Sequence, residues 1–130
     1  MLALDYGSAR CGCALSDPTG TLASPIEAVP APGSKAGLHR VAALAEHHEV
    51  ERVVVGLPVT LAGGDSAQTG ETRAFAARLR EALPAAIPVE LYDERFTTRI
   101  AQRAGGSASE DSRAAAVLLE GWLARREARA

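Results

Sequence analysis

The sequence predicts an α/β fold: a mixed five-stranded sheet in which an antiparallel β1-β2-β3 meander leads into parallel strands, with helices on both faces. Three observations carry this. Three extended apolar stretches fall within the first 29 residues, separated only by short turns, as in a meander. Two later apolar runs, Arg52 to Pro58 and Pro88 to Tyr92, are too short for helices and read as buried parallel strands. Stretches of helical periodicity lie before, between and after them.

In chain order, Leu2-Ala3-Leu4 is the first strand, ending in Asp5 and turning at Tyr6-Gly7. Cys11 to Leu15 returns as the second strand and stops at Ser16-Asp17-Pro18. Thr21 to Val29 is the third, and its internal Pro25 places it at a sheet edge. Ser34 caps a helix running to about His48, with Leu38, Val41, Leu44 and Ala45 at helical spacing. All three histidines fall on this segment without metal-ligand spacing and read as solvated.

After the Val-rich strand, Leu61 to Ser66 forms a Gly-rich loop that lacks the ending of a P-loop. A helix follows from about Ala67 to Leu83, with Phe75, Leu79 and Leu83 on one face. The last strand runs into Asp93-Glu94-Arg95-Phe96-Thr97-Thr98. Thr97 or Thr98 caps a short helix ending at Gly105-Gly106. Ser107 to Glu110 is a linker, and a final helix starts at about Asp111. Val117, Leu118, Trp122 and Leu123 form its buried stripe, and Arg125 to Arg129 is expected to fray.

The 130 residues are expected to form one domain, 1–130, large enough to fold without disulfide or structural metal. With 47% hydrophobic but only 4% aromatic residues, the core must come from Ala, Leu and Val. Cys11 and Cys13 share one strand face, disfavour a mutual disulfide and read as small buried hydrophobes in a reducing cytoplasm. No signal peptide or membrane-length apolar run is read, so a cytoplasmic protein without membrane contact is expected. A net charge of −2 gives no global attraction to nucleic acid, so such a partner needs a local basic patch.

The chemistry lies in acids at strand ends. Asp5 ends an apolar strand, where an ionised carboxylate needs a protein partner or a metal ion. Alternatively, it caps the Gly7-Ser8 turn. Glu94 sits at a second strand end and Asp111 at a helix start, so the three could converge where open α/β sheets place their sites. Such a set suits hard cations, and two Mg²⁺ or Mn²⁺ about 3.5–4 Å apart support phosphodiester hydrolysis. Asp93 and Glu94 must face opposite ways, and spacing alone leaves open which one contributes.

Four segments resemble the YqgF/RuvX family: L-D-Y-G-x-x-R-x-G-x-A-x-S-D from Leu4 to Asp17, V-V-G-L-P from Val54 to Pro58, D-E-R-F-T-T from Asp93 to Thr98, and D-x-x-A-A from Asp111 to Ala115. The resemblance covers nearly the whole chain, in the family's order. It implies an RNase H-like, RuvC-like nuclease fold and a part in processing the precursor of 16S ribosomal RNA. Carried over by position, it implies Asp5, Glu94 and Asp111 as catalytic acids and ligands of Mg²⁺ or Mn²⁺. It places Arg10, Arg95 and Thr97 near the substrate; Arg99, close to the acids, joins them as a phosphate contact. Asp93 is then a structural acid. Cys11, Cys13, Phe96, Thr60 and the short linker before Asp111 depart from the family's pattern, and Thr60 leaves the role of its loop open.

RNA is the expected partner, with branched DNA, as for a RuvC-like resolvase, the alternative; a homodimer is compatible with either. A two-domain ATPase of the actin and sugar-kinase class needs more chain than this. A non-catalytic RNA or transcription-associated module would not need the acids.

Overall fold

The structure is a computed structural model that describes residues 1–20, 22–59, 64, 66–94 and 110–129. It contains β1 (Leu2–Asp5), β2 (Arg10–Ser16), β3 (Ala23–Pro30), α1 (Lys35–His47), β4 (Val53–Leu57), α2 (Ala67–Ala82), β5 (Val89–Asp93) and α3 (Glu110–Arg129). The strands form one sheet in the order β3-β2-β1-β4-β5. Both pairings of the meander are antiparallel, while β1–β4 and β4–β5 are parallel.

The order follows from the residues available. β1, β2 and β4 are apolar on both faces and fill the interior of the sheet, whereas β3 takes an edge with Pro25 opposite Ala14. The other edge, β5, is tied down by Arg80, whose Nε and Nη2 donate to the Val89 carbonyl. Pro88 precedes β5, which reaches instead to Asp93.

Strand alternation divides the core in two. Leu2, Leu4, Cys11, Cys13, Val53 and Val55 face α1 and α2, meeting Val41, Ala45, Phe75 and Leu79. Ala3, Ala14, Val54 and Tyr92 face α3, meeting Ala115, Leu118, Leu119 and Leu123. The helix-facing layers therefore lie on both sides of the sheet, and both cysteines are buried free thiols. The small Ala residues on the second face let α3 lie close across β1, β2 and β3.

Helix starts follow local capping. The Ser34 hydroxyl accepts from the Gly37 N–H at 3.0 Å. Ser66 and Thr69 close a reciprocal capping box on α2, and the Thr69 hydroxyl also donates to the Pro58 carbonyl, joining α2 to the end of β4. Both expected boundaries of α3 differ. α3 takes in Glu110, because acids suit a first helical turn, and it continues to Arg129 rather than fraying at Arg125. The guanidinium of Arg126 stacks 5.5 Å from the Trp122 ring, which helps hold that end. The short helix expected after Thr97 lies outside the described residues. Among the described residues no helix is long and apolar enough to cross a membrane.

Candidate active site

The site is laid out as a row across the carboxyl ends of β1, β4 and β5, on the face that carries α3. Asp5 pairs in register with Gly12 of β2 and shares the parity of Ala3, which faces α3. On β4, Gly56 shares the parity of Val54; on the chain leaving β5, Glu94 shares that of Tyr92. Asp93 has the opposite parity. Alternation thus answers the question left open by spacing: Glu94, not Asp93, stands on the face of Asp5.

Two strand glycines make the row possible. A Cβ at Gly12 would overlap the backbone carbonyl of Asp111, so the first turn of α3 rests directly on β2. A Cβ at Gly56 would stand 3.0 Å from both Glu94 Oε1 and Leu118 Cδ2, so Glu94 leans over β4 in the space it leaves. Neither glycine was singled out as a site residue from the sequence. The available signal was a Gly inside an otherwise apolar strand, which marks close approach of another chain segment.

α3 is also pinned by a hydrogen bond. The pairing of β2 with β3 shifts register between Cys11 and Cys13, and the Cys13 N–H donates to Ser112 Oγ at 3.2 Å. Ser112 is fully buried. Asp111 is thereby carried to the site by its neighbours on both sides: a glycine beneath its carbonyl and a serine bonded to the strand.

The electrostatics divide the three acids into two and one. Asp5 is partly buried, and its pKa is pushed up to about 7. Burial is the largest cause, followed by the Glu94 charge, a hydrogen bond with Glu94 and the more distant Asp111 charge. Asp5 and Glu94 therefore form a close carboxyl pair that favours a proton or a cation between them. Asp111 instead meets Arg10, whose Nε lies 3.0 Å from Asp111 Oδ2. Among the described residues no three His, Cys, Asp or Glu side chains form a set that could hold a metal ion. The donor chemistry nevertheless fits a hard divalent cation: two carboxylates in contact, a third close by, and no sulfur or imidazole in the pair.

Of the other sequence-derived residues, Arg10 is at the site and exposed. Arg95, Thr97 and Arg99 lie outside the described residues, as do Thr60 and Phe96. Asp17, part of the first family-like segment, sits beyond the far end of β2. Its Oδ1 accepts from the Leu22 N–H at 3.0 Å, so it shapes a turn.

The chain is similar to known proteins in sequence and in fold. A Rhodococcus erythropolis protein with the provisional name pre-16S rRNA nuclease is 40% identical over 138 residues, covering 96% of this chain and 77% of that protein. A Streptomyces avermitilis protein of the same provisional name is 43% identical over 126 residues, covering 91% and 80%. Among solved structures, Thermus thermophilus RuvC in complex with a Holliday junction substrate superposes with a TM-score of 0.65 at 17% identity. The match covers 98% of this chain and 96% of that one, and it shows the shared RNase H-like fold. Another Thermus thermophilus RuvC structure gives a TM-score of 0.57 at 18% identity, covering 98% and 97%. With a family model described as Holliday junction resolvase matching residues 1–125, the chain belongs to the RuvX family.

Proposed function

We propose that this chain is a divalent-cation-dependent nuclease that hydrolyses phosphodiester bonds of RNA, acting on the precursor of 16S ribosomal RNA. The observation that carries the reading is the Asp5–Glu94 carboxyl pair at the strand ends, with Asp111 delivered beside it by α3. A partly buried Asp5 carboxyl held against a second acid, with its proton affinity raised, is costly to keep unless the site uses it. Asp5 and Glu94, with Asp111, would hold Mg²⁺ or Mn²⁺, two ions as a set of three acids suits. Such cations supply activation of a water and neutralisation of the charge on the leaving oxygen. The chain's own residues orient the substrate: Arg10 offers a planar donor to a phosphate, and Arg95, Thr97 and Arg99 fall within five residues after Glu94 in sequence.

The names of the relatives favour a ribosomal RNA precursor. The family description and the fold shared with RuvC favour a second substrate, the four-way DNA junction. Symmetric cleavage of a junction needs two sites, and so a homodimer; hydrolysis of one RNA strand needs only one site.

The test is to incubate the protein with labelled precursor RNA and with labelled four-way junctions, each in Mg²⁺, Mn²⁺ or EDTA. Cation-dependent cleavage of the RNA is expected. Full activity in EDTA overturns the mechanism, and cleavage of the junction alone overturns the choice of substrate.

A further inference from the structure

Asp111 approaches the acid pair from a different element, and the partner its carboxylate meets is a cation. Arg10 lies two residues before Gly12 on β2, hence on the same strand face, and that face carries the start of α3. Gly12 beneath the Asp111 carbonyl and the Ser112–Cys13 hydrogen bond fix the backbone there. The side chains stay free to exchange partners, since that of Arg10 is 63% exposed and that of Asp111 42%. An ion pair this exposed is weak enough to break when a better partner arrives.

We propose that Arg10 is a built-in counter-ion: it holds the third acid while the site is empty of nucleic acid and surrenders it to the site when a phosphodiester takes its guanidinium. This rests on the reading of Asp5, Glu94 and Asp111 as cation ligands. A guanidinium recognises carboxylate and phosphate oxygens through the same N–H donors, so a backbone phosphate competes directly with Asp111. Once Arg10 turns to the phosphate, the Asp111 carboxylate is released to join Asp5 and Glu94. Free protein thus offers a cation chiefly two carboxylates, and nucleic-acid-bound protein offers three. Because binding coupling is reciprocal, the cation also raises affinity for the nucleic acid. The arrangement restrains cation loading until a substrate is present.

The sign of one measurement separates this role from a merely structural one. A clamp that positions Asp111 would, on removal, loosen the acid and weaken cation binding. A counter-ion that competes for Asp111 would, on removal, strengthen it. Mn²⁺ binding is measured by calorimetry, without nucleic acid, for wild type, Arg10→Gln, Arg10→Lys and Asp5→Asn. Arg40→Gln serves as the control for uniform loss of charge, because Arg40 lies on α1 and pairs with Glu27. Arg10→Gln is expected to bind Mn²⁺ about three- to tenfold more tightly than wild type. Arg10→Lys keeps the charge and should stay near wild type, and Arg40→Gln should change little. Asp5→Asn should lose the binding. Equal or weaker binding by Arg10→Gln, with Asp5→Asn still defective, overturns the counter-ion role and leaves the cation site standing. No Mn²⁺ binding by wild type, or equal binding by wild type and Asp5→Asn, overturns the cation site and the inference together.

Discussion

Replacing Asp5 with Asn removes one charge from the carboxyl pair while keeping the shape of the side chain, and its effect on stability can be worked out from the site. In the folded protein the Asp5 carboxyl titrates at about 7, against an ordinary value of 3.8. Each unit of that gap is worth about 1.4 kcal/mol. A folded-state value raised above the unfolded one means that the group's contribution is fully present below about pH 4 and is lost as pH rises through 7. Between pH 5 and pH 8 the wild type therefore loses about 2–3 kcal/mol from this group, and Asp5→Asn, which does not titrate, loses none of it. The fixed cost of burying an amide is the same at both pH values and cancels. In EDTA, the melting temperature of Asp5→Asn relative to wild type should rise by several degrees from pH 5 to pH 8. At pH 8, Mg²⁺ at ten times its dissociation constant should add about 1.4 kcal/mol to wild type and nothing to the variant. A difference in melting temperature that stays constant with pH, or an equal Mg²⁺ shift in both proteins, would refute the close carboxyl pair.

Three further outcomes follow from the same geometry. Glu94→Gln should abolish cation-dependent cleavage while Asp93→Asn retains most of it, because only Glu94 shares the face of Asp5; equal losses in parallel assays would contradict the parity. Gly12→Ala places a methyl against the Asp111 carbonyl and should cost about 1–3 kcal/mol in a denaturant melt, with loss of cleavage as α3 shifts. Unchanged stability there would mean that α3 does not rest on β2. Ser112→Ala leaves the buried Cys13 N–H without its acceptor and should cost about 1–3 kcal/mol, whereas Ser112→Thr, which keeps the hydroxyl, should recover part of it.

What the sequence determined by itself was local. Apolar runs of strand length, helical spacing in the segments around them and Pro25 in the third strand dictated the elements and one sheet edge, because these depend on near neighbours and on backbone chemistry. The acids at strand ends were legible for the same reason: a carboxylate closing an apolar run stands out without knowledge of the fold. Family-like segments added which acids to join, although spacing alone left Asp93 and Glu94 undecided. The resemblance favoured Glu94, and the tertiary structure supplied the physical reason, since parity becomes a direction only once β5 has a register with β4 and a helix lies on one face. It also decided that Gly12 and Gly56 are clearances for Asp111 and Glu94, segments far away along the chain. The division of the acids was likewise tertiary: Asp5 with Glu94, and Asp111 with Arg10. Charge pairing depends on distance and burial in space, and β2 and the start of α3 become neighbours only when the sheet and its covering helix have assembled.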